Sequence, residues 1–369
     1  MTTGTLPAMD VADRANRLRA ALEPAGCDVL LVTHLTNVRY LTGFTGSAGV
    51  LVVAADGLLF VTDGRYAEQA EEELAAAGVT ARIEIGRTGE AQREAVATEL
   101  SGTARIGLES EHVSWADQRR YAESWFPDAA VVPVEGAVEA LRVVKDPGEV
   151  ARIEAACGIA DAALAAVVPL LDGGPTETAF ALALDDEMRR RGADDISFET
   201  IVASGPNGSR PHHTPSDRAI APGDLVVIDF GALVDGYHSD MTRTIPVGGL
   251  DAVDDVQRRM VTVVTEAQAA GVAAVHAGES ARHVDAACRS VIEDAGWGDA
   301  FVHGTGHGVG LDIHEDPKVS WAADGTLADG HVVTVEPGVY LPGHGGVRVE
   351  DTVVVTSTGC RPLTRAPKS

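Results

Sequence analysis

Two acidic residues lie in or beside apolar, strand-like sequence, where a charged side chain needs a partner. Asp229 falls inside the β-branched run LVVIDFG (225–231), and Asp240 follows it after the turn sequence Asp235-Gly236. Acids are rare in strands, and a buried carboxylate without a partner costs several kcal/mol or shifts its pKa. The Asp-Gly pair predicts a β-hairpin, and a loop of two or four residues would put both acids on one face, opposite or diagonal to each other. Two carboxylates at such a short distance repel each other unless a proton or a metal lies between them. The pattern therefore predicts a divalent metal site.

Three histidines occur within the glycine-rich stretch FVHGTGHGVGLDIHEDP (301–317). They are His303, His307 and His314. The stretch has neither a Gly-x-x-x-x-Gly-Lys-Ser/Thr loop nor a Gly-x-Gly-x-x-Gly between a strand and a helix, which disfavours a nucleotide site. A single histidine is most often a structural hydrogen-bonding residue. Three within one short segment, among glycines that allow close backbone approach, indicate a metal-binding or catalytic cluster instead.

Two further acids interrupt apolar runs nearer the end of the chain. Strand patterns cover 331–336, which ends in Glu336, and 346–356, which contains Glu350. Arg348 lies two residues before Glu350, on the same face of the predicted strand, where it can orient that carboxylate. Any one such acid is usually a strand-end residue that reaches solvent. Four of them together with the histidine cluster are better explained by one shared site.

The elements that must position these residues fall into two groups. Residues 1–143 alternate strand patterns with helix patterns, which predicts a smaller α/β domain. Residues 144–369 alternate helices with hairpins, which predicts an α+β domain with an antiparallel sheet and covering helices. Asp146 directly before Pro147 predicts a capped helix start at the beginning of this second domain.

The composition of the chain indicates the cellular compartment of the protein and disfavours some classes of binding partner. The net charge of −26 disfavours nucleic acid and anionic membranes as partners. Four scattered cysteines without a Cys-x-x-Cys pair predict free thiols in a reducing cytoplasm. The N-terminal sequence predicts no signal peptide. No apolar run is expected to reach the roughly 18 residues of a membrane span, because the most apolar helix, around 158–171, is interrupted by Asp161 and Pro169.

The acids and histidines occur in motifs that resemble those of the pita-bread metallopeptidases, the family of methionine aminopeptidase, aminopeptidase P and prolidase. The motifs IDFG, SDMTRT, HGTGHGVG, DIHEDP, VEPGVY and GGVRVED stand in the family's order. The resemblance implies an α+β pita-bread catalytic domain preceded by a smaller α/β creatinase-like domain. It also implies two divalent metal ions, manganese first and otherwise cobalt, zinc or iron. The implied metal ligands, of which Asp240 and Glu350 would bridge the two ions, are Asp229, Asp240, His307, Glu336 and Glu350.

Such a ligand set has a chemistry of its own. Four carboxylates and one imidazole form a mostly hard site, which suits manganese better than metals that prefer thiolates. Two ions roughly 3.5–4 Å apart can share a hydroxide and polarise a carbonyl, which is what amide hydrolysis requires. In the mechanism that the resemblance implies, Glu336 passes a proton to the nitrogen of the leaving proline.

The resemblance further implies a set of residues that face the substrate or support the ligands. Its implied members are His212, His303, His314 and, in support of the bridging glutamate, Arg348. His213 has no counterpart in that set. Both His213 and His344 are therefore interpreted as ordinary loop residues.

The first part of the chain narrows the implied activity. Methionine aminopeptidases are essentially the catalytic half, whereas here the stretches NVRYLTGFTGSAGVLVV (37–53) and VTDGRY (61–66) resemble the N-terminal domain of aminopeptidase P and prolidase. The implied function is a cytoplasmic, homodimeric Xaa-Pro aminopeptidase that acts on proline-containing peptides, with an Xaa-Pro dipeptidase as the alternative. Two other classes are a creatinase-like amidinohydrolase, which lacks the ligand set, and a non-catalytic peptidase-like binding module.

Overall fold

The computed structural model describes residues 6–368. These residues divide into two compact units. The first covers residues 8–142, and the second covers residues 143–368 together with residues 6 and 7.

The first unit is built on a mixed six-stranded sheet. Its strands are β1 (Val29–Val32), β2 (Val50–Val53), β3 (Leu58–Thr62), β4 (Arg82–Ile85), β5 (Arg105–Glu109) and β6 (Ala130–Val134), and its α-helices are α1 (Arg14–Leu22), α2 (Leu35–Thr42), α3 (Ala67–Ala76), α4 (Gly89–Glu99), α5 (Trp115–Arg120) and α6 (Glu139–Arg142). The strand order is β4-β3-β2-β1-β5-β6. The β1–β5, β5–β6 and β3–β4 pairs are parallel, and β2 is antiparallel to both neighbours. The predicted α/β alternation is confirmed.

The second unit combines short antiparallel sheets with four long helices. Its strands are β7 (Asp195–Ile196), β8 (Ile201–Ser204), β9 (Leu225–Phe230), β10 (Ala232–Val234), β11 (Tyr237–His238), β12 (Met241–Pro246), β13 (Gly306–Gly308), β14 (Glu315–Val319), β15 (Val332–Val335), β16 (Gly338–Leu341), β17 (Gly345–Arg348), β18 (Asp351–Thr356) and β19 (Gly359–Pro362). Its helices are α7 (Pro147–Val167), α8 (Glu177–Arg190), α9 (Asp255–Ala274) and α10 (Ala281–Asp294). The strand pairs described in this unit are all antiparallel, as predicted.

Two apolar cores hold the helices against the sheets of this unit. Helices α7 and α8 pack on β8 and β9, with Phe180 and Ile228 among the fully buried side chains. Helices α9 and α10 pack on β15 and β18, with Val264 and Val353 in the same role. Because each helix pair covers one group of strands, the loops and strand ends between the cores are left to form a site.

The predicted hairpin around Asp235-Gly236 is confirmed, and its two-residue loop sets the register. Both loop residues have positive φ, 47° and 74°, which matches the turn that joins twisted antiparallel strands. The same register continues into β9 and β12, where Asp229 pairs with Thr242. Asp240, two residues before Thr242, is therefore diagonal to Asp229 on the same face.

The strand predicted over 346–356 is instead two strands in different sheets. β17 pairs with β16, and β18 pairs with β15 and β19. The chain changes sheets at Val349 and Glu350, and the main-chain N–H of Glu350 donates to Thr242 O at 3.1 Å. Continuous β-branched sequence cannot reveal this change of partner, because it satisfies both pairings equally well.

Helix α7 begins as predicted, but its apolar character was underestimated. Asp146 accepts a hydrogen bond from the Glu149 N–H at 2.9 Å, and Pro147 is the first helical residue. The prediction that no segment is apolar enough to span a membrane is wrong here, because residues 147–173 meet that criterion by length and composition, with a mean hydropathy of 1.7. Buried core helices meet the same criterion, and α7 contributes several buried residues to the core it shares with α8. Asp161 does not interrupt the helix, because it accepts hydrogen bonds from the Arg365 and Ala366 N–H groups.

Candidate metal centre and substrate cavity

The five residues predicted as metal ligands converge on one cavity of about 420 Å³. They come from strands or strand ends that are distant in sequence: β9, the loop before β12, β13, the end of β15 and the crossing between β17 and β18. The residues are Asp229, Asp240, His307, Glu336 and Glu350. The hairpin and the change of sheets at residue 350 are thus the features that bring the acids together.

The distances within this group are those of a shared site. One carboxylate oxygen from each of Asp229, Asp240 and Glu350 lies within 4.8 Å of the other two. His307 Nε2 is 3.5 Å from Asp240 Oδ2 and 3.4 Å from Glu336 Oε1. All five side chains can therefore reach a common centre.

The ionised carboxylates repel one another strongly in the absence of a cation. Burial, followed by the charges of neighbouring carboxylates, raises the pKa of Asp240 and of Glu350 well above the usual range. Burial also raises the pKa of Glu336 to about 7, although Arg348 acts in the opposite direction. Several acids in one buried site are stable as anions only with added positive charge.

Three unsatisfied atoms indicate where that positive charge fits. Among the described residues, Asp229 Oδ1 and Glu350 Oε1 are buried without a hydrogen-bond partner. His307 Nδ1 lies 3.0 Å from Gly308 O and must donate to it, so in the neutral ring Nε2 carries a lone pair that faces two carboxylates. Burial lowers the pKa of His307 to about 3, which keeps the ring neutral. The carboxylate oxygens and the imidazole lone pair are all hydrogen-bond acceptors that face one another, and a backbone carbonyl orients the imidazole. This arrangement fits divalent cations.

Arg348 supports the site through a different carboxylate from the one predicted. It was expected to orient Glu350, but its guanidinium donates to Asp229 Oδ2 at 2.7 Å and to Thr242 Oγ1 at 3.0 Å. Thr242 in turn donates to Glu350 Oε2 at 2.7 Å. The expected contact is replaced because the chain leaves its strand between residues 348 and 350, so the hydrogen bonds from Arg348 reach Glu350 through Thr242.

The predicted substrate-facing histidines all line the cavity, but they are not equivalent. His212 is exposed, whereas the His314 ring lies edge-on to the His307 ring at 4.4 Å and has its pKa lowered by burial. His303 Nδ1 donates to Gly304 O at 2.8 Å, and its Nε2 lies 2.9 Å from Tyr340 Oη. Burial lowers the pKa of His303 to about 4, so the ring is neutral and Nε2 accepts from the Tyr340 hydroxyl. In this state His303 has no free N–H to offer a substrate.

Three residues in the site or connected to it were not predicted from the sequence. Tyr340 joins His303 to Arg348, whose Nη1 donates to the Tyr340 hydroxyl at 2.8 Å. Lys318 lines the cavity. His213 is not an ordinary loop residue, because its Nε2 lies 2.9 Å from a buried carboxylate of Glu177. The adjacent His-His pair was the signal available for His213, whereas a lone Tyr or Lys carried none.

His344 behaves as a loop residue, as interpreted. It is partly exposed, with 40% of its side chain accessible, and its Nδ1 lies 3.3 Å from Asp254 Oδ2. It does not line the cavity.

A second group of potential ligands lies in the first unit and does not form a comparable site. His34, His112 and Glu139 bring three ligand atoms within 4.8 Å of one another. However, the two imidazole rings stack face to face at 3.7 Å with an interplanar angle of 4°. Lone pairs in parallel ring planes cannot both point at one ion, and the Nε2 atom of His112 already contacts Glu139 at 2.8 Å.

Two protein-family models match the chain in consecutive stretches. Residues 151–357 match metallopeptidase family M24. Residues 14–144 match the creatinase/prolidase N-terminal domain.

Individual relatives match over nearly the whole length. A Bacillus subtilis protein named "Uncharacterized peptidase YqhT" is 42% identical over 96% of this chain and 98% of its own. The solved structure of an Xaa-Pro dipeptidase from Bacillus anthracis is 38% identical, with a TM-score of 0.91 and coverage of 97% of this chain and 98% of the other. That of an X-Pro aminopeptidase from Thermotoga maritima is 34% identical, with a TM-score of 0.87 and coverage of 97% and 99%.

Proposed function

Because the chain belongs to metallopeptidase family M24 and carries a creatinase/prolidase N-terminal domain, we propose that it hydrolyses Xaa-Pro bonds in peptides. The predicted family and fold class, a pita-bread catalytic domain preceded by a creatinase-like domain, are confirmed. The protein is a metal-dependent enzyme by family membership. The complete set of five ligand-type residues argues against the creatinase-like and non-catalytic alternatives. The single observation that carries the proposal is the convergence of five ligand-type side chains in one cavity.

We assign two divalent ions, manganese by preference, to Asp229, Asp240, His307, Glu336 and Glu350. The hard oxygen-rich donor set supports this choice. Bound there, the ions would supply Lewis acidity and a nucleophile at neutral pH. The chain's own contribution is to hold the ligands rigidly. Arg348 and Thr242 fix Asp229 and Glu350, and the Thr334 hydroxyl lies 3.1 Å from Glu336 Oε1.

Glu336 is the residue to which we assign proton transfer. Its carboxylate lies beside His307 and lines the cavity, with 18% of the side chain exposed. A carboxyl in this position can hold a proton and pass it to the nitrogen of the leaving proline. The exposed His212 is placed to contact the substrate backbone, while burial keeps His303 neutral and Tyr340 orients its ring.

A lysine that lines the cavity supports a preference for dipeptides over longer peptides. Lys318 and Arg348 are the lysine and arginine side chains that line it, and Arg348 is already bonded to Asp229. Lys318 Nζ lies 3.4 Å from Glu315 O, a neutral acceptor that leaves its charge without a counter-ion in that contact. A dipeptide Xaa-Pro carries its carboxylate on the proline, close to the scissile bond, where an ammonium can reach it. We therefore propose Xaa-Pro dipeptides as the preferred substrates and Xaa-Pro-containing longer peptides as the second candidate.

A direct assay tests this assignment. The manganese-loaded protein is expected to hydrolyse Ala-Pro and, with lower kcat/KM, Ala-Pro-Ala, and to leave Ala-Ala intact. Release of free amino acid or proline is measured under identical conditions for all three. Equal cleavage of Ala-Ala, or failure to cleave either proline peptide, would contradict the proposed function, whereas preference for Ala-Pro-Ala would favour the aminopeptidase alternative.

Replacing Lys318 with methionine is expected to raise KM for Ala-Pro about 10-fold or more and to leave kcat nearly unchanged. The reason is the loss of a hydrogen bond to a charged group, worth roughly 1.5–3 kcal/mol, while the methionine side chain keeps the apolar stem. The matched control is the substrate Ala-Pro-amide, which lacks the carboxylate. Its KM should be the same for wild type and K318M, and an equal rise for both substrates would show that Lys318 acts on something other than the carboxylate.

We also propose that the enzyme works in the cytoplasm as a homodimer. Three of the four cysteines, Cys27, Cys157 and Cys288, are buried free thiols and the fourth, Cys360, is also free, which suits a reducing compartment. Light scattering of the purified protein measures the oligomeric state.

A further inference from the structure

Glu177 is a buried acid outside the cavity that binds an unusual number of donors. It lies at the start of α8 and has no exposed surface. Its carboxylate accepts hydrogen bonds from the Ser204 N–H at 2.7 Å and hydroxyl at 2.6 Å, and from the Ser216 N–H at 3.1 Å and hydroxyl at 2.6 Å. The Asn207 amide at 3.1 Å and His213 Nε2 at 2.9 Å complete the set. None of the four residues that supply these donors belongs to α8, so the carboxylate joins the start of the helix to another part of the chain.

All of these donors belong to one segment, residues 204–216. Ser204 and Asn207 lie at its beginning, and His213 and Ser216 lie at its end. Residues 211–216 belong to no helix or strand in the described structure. Apart from one main-chain hydrogen bond, from the Thr178 N–H to Ser216 O, the hydrogen bonds described for residues 211–216 involve side chains.

The middle of this segment faces the candidate active site. Pro211 and His212 line the cavity, whereas the next residue, His213, points to Glu177 with only 9% of its side chain exposed. The two consecutive histidines thus point to different places, one into the cavity and one to a buried anion.

Glu177 stays ionised at ordinary pH, so its carboxylate accepts these hydrogen bonds throughout that range. Burial opposes its ionisation, but the hydrogen bonds from Ser204, Ser216 and Asn207 outweigh burial and lower the pKa of Glu177 to about 2. The carboxylate therefore only accepts hydrogen bonds, and His213 Nε2 must donate to it. Hydrogen bonds to a charged acceptor are roughly twice as strong as neutral ones, which makes the pair a firm attachment point.

We propose that Glu177 and His213 are positioning residues that hold His212 at the cavity wall, so that the second histidine of the pair controls the reach of the first. This inference rests on the proposed function, because it takes His212 to contact the substrate. His213 itself touches neither the cavity nor the ligand residues in the contacts described for it.

The test is a double-mutant cycle on the adjacent histidines. H213A is expected to lower kcat/KM for Ala-Pro by roughly 10- to 100-fold, because a displacement of about 1 Å in a contact residue can have such an effect. H213Q, whose amide N–H can still reach Glu177, is expected to recover most of the loss. In the H212A background, H213A should add less than about twofold, since the residue through which it acts is gone. H344A, which changes a partly exposed histidine away from the cavity, serves as the control and should leave kcat/KM unchanged.

Two measurements separate failure of this inference from failure of the proposed function. Fully additive losses in H212A and H213A, with no rescue by H213Q, would overturn the positioning role while leaving Xaa-Pro hydrolysis intact. If the wild type does not cleave Xaa-Pro peptides at all, the ring NMR signals of His212 still decide the matter. They should shift or broaden in H213A and not in H344A, and unchanged signals would overturn the inference.

Discussion

Replacing Glu336 with glutamine is expected to lower kcat for Xaa-Pro hydrolysis by about 10³-fold. The carboxylate lies 3.4 Å from His307 Nε2 and lines the cavity, where burial raises its pKa to about 7. Glutamine has almost the same size and can keep a contact with the Thr334 hydroxyl, but it cannot hold and release a proton. The loss should therefore appear in kcat, measured on the manganese-loaded protein with Ala-Pro.

The matched control for this variant is Glu266→Gln on α9. Glu266 is exposed and lies outside the cavity, so the same chemical change there should leave kcat within about twofold of wild type. Metal content of each sample is measured alongside, because a glutamine that weakens ion binding would lower activity by a second route. Near-normal kcat in metal-loaded E336Q would rule out the assigned proton transfer.

Metal-free protein is expected to lose stability as the pH rises from 7.5 to 8.5, whereas the metal-loaded protein should change little. The folded-state pKa of Glu336 is raised to about 7, and those of Asp240 and Glu350 are also raised. The unfolded chain has these acids fully ionised in this range, so the folded state binds more protons. Stability then falls with rising pH by up to about 1.4 kcal/mol per pH unit for each proton held.

The pH window is chosen to exclude the histidines. His303, His307 and His331 have folded-state pKa values lowered to about 4, 3 and 4, and they act in the opposite direction at lower pH. Above about 7.5 they are mostly neutral in both states, so the carboxylates dominate. Thermal melts of chelator-treated protein across the window measure the effect, and the slope should be smaller in metal-free E336Q. A metal-free protein that became more stable towards pH 8.5 would contradict the conclusion that burial and mutual repulsion raise the pKa values of these carboxylates.

The candidate metal ligands could be selected from the sequence because their signals are local. An acid inside a β-branched run is anomalous wherever it occurs, as at Asp229 and Glu350. The register between Asp229 and Asp240 follows from the Asp235-Gly236 turn, since a two-residue loop with positive φ at both positions allows a single pairing. The alternation of strands and helices likewise predicted both fold classes without knowledge of any long-range contact.

The partners of the residues that orient the ligands could not be predicted, because these partners are far away in the chain. Arg348 binds Asp229, which is 119 positions away, and Tyr340 contacts His303, which is 37 positions away. The expected contact between Arg348 and Glu350 assumed one continuous strand, and the change of sheets at residue 350 removed it.

The identity of the chemistry was therefore determined by the sequence alone: acids and histidines whose burial requires a cation, placed by turns that act over a few residues. Tertiary structure decided how each of these groups is held and which remain available. It filled both ring nitrogens of His303, directed His213 to Glu177, and left Lys318 facing the cavity. Turn and strand preferences act between neighbours in sequence, whereas hydrogen-bond partners are selected by which surfaces the packed cores bring together.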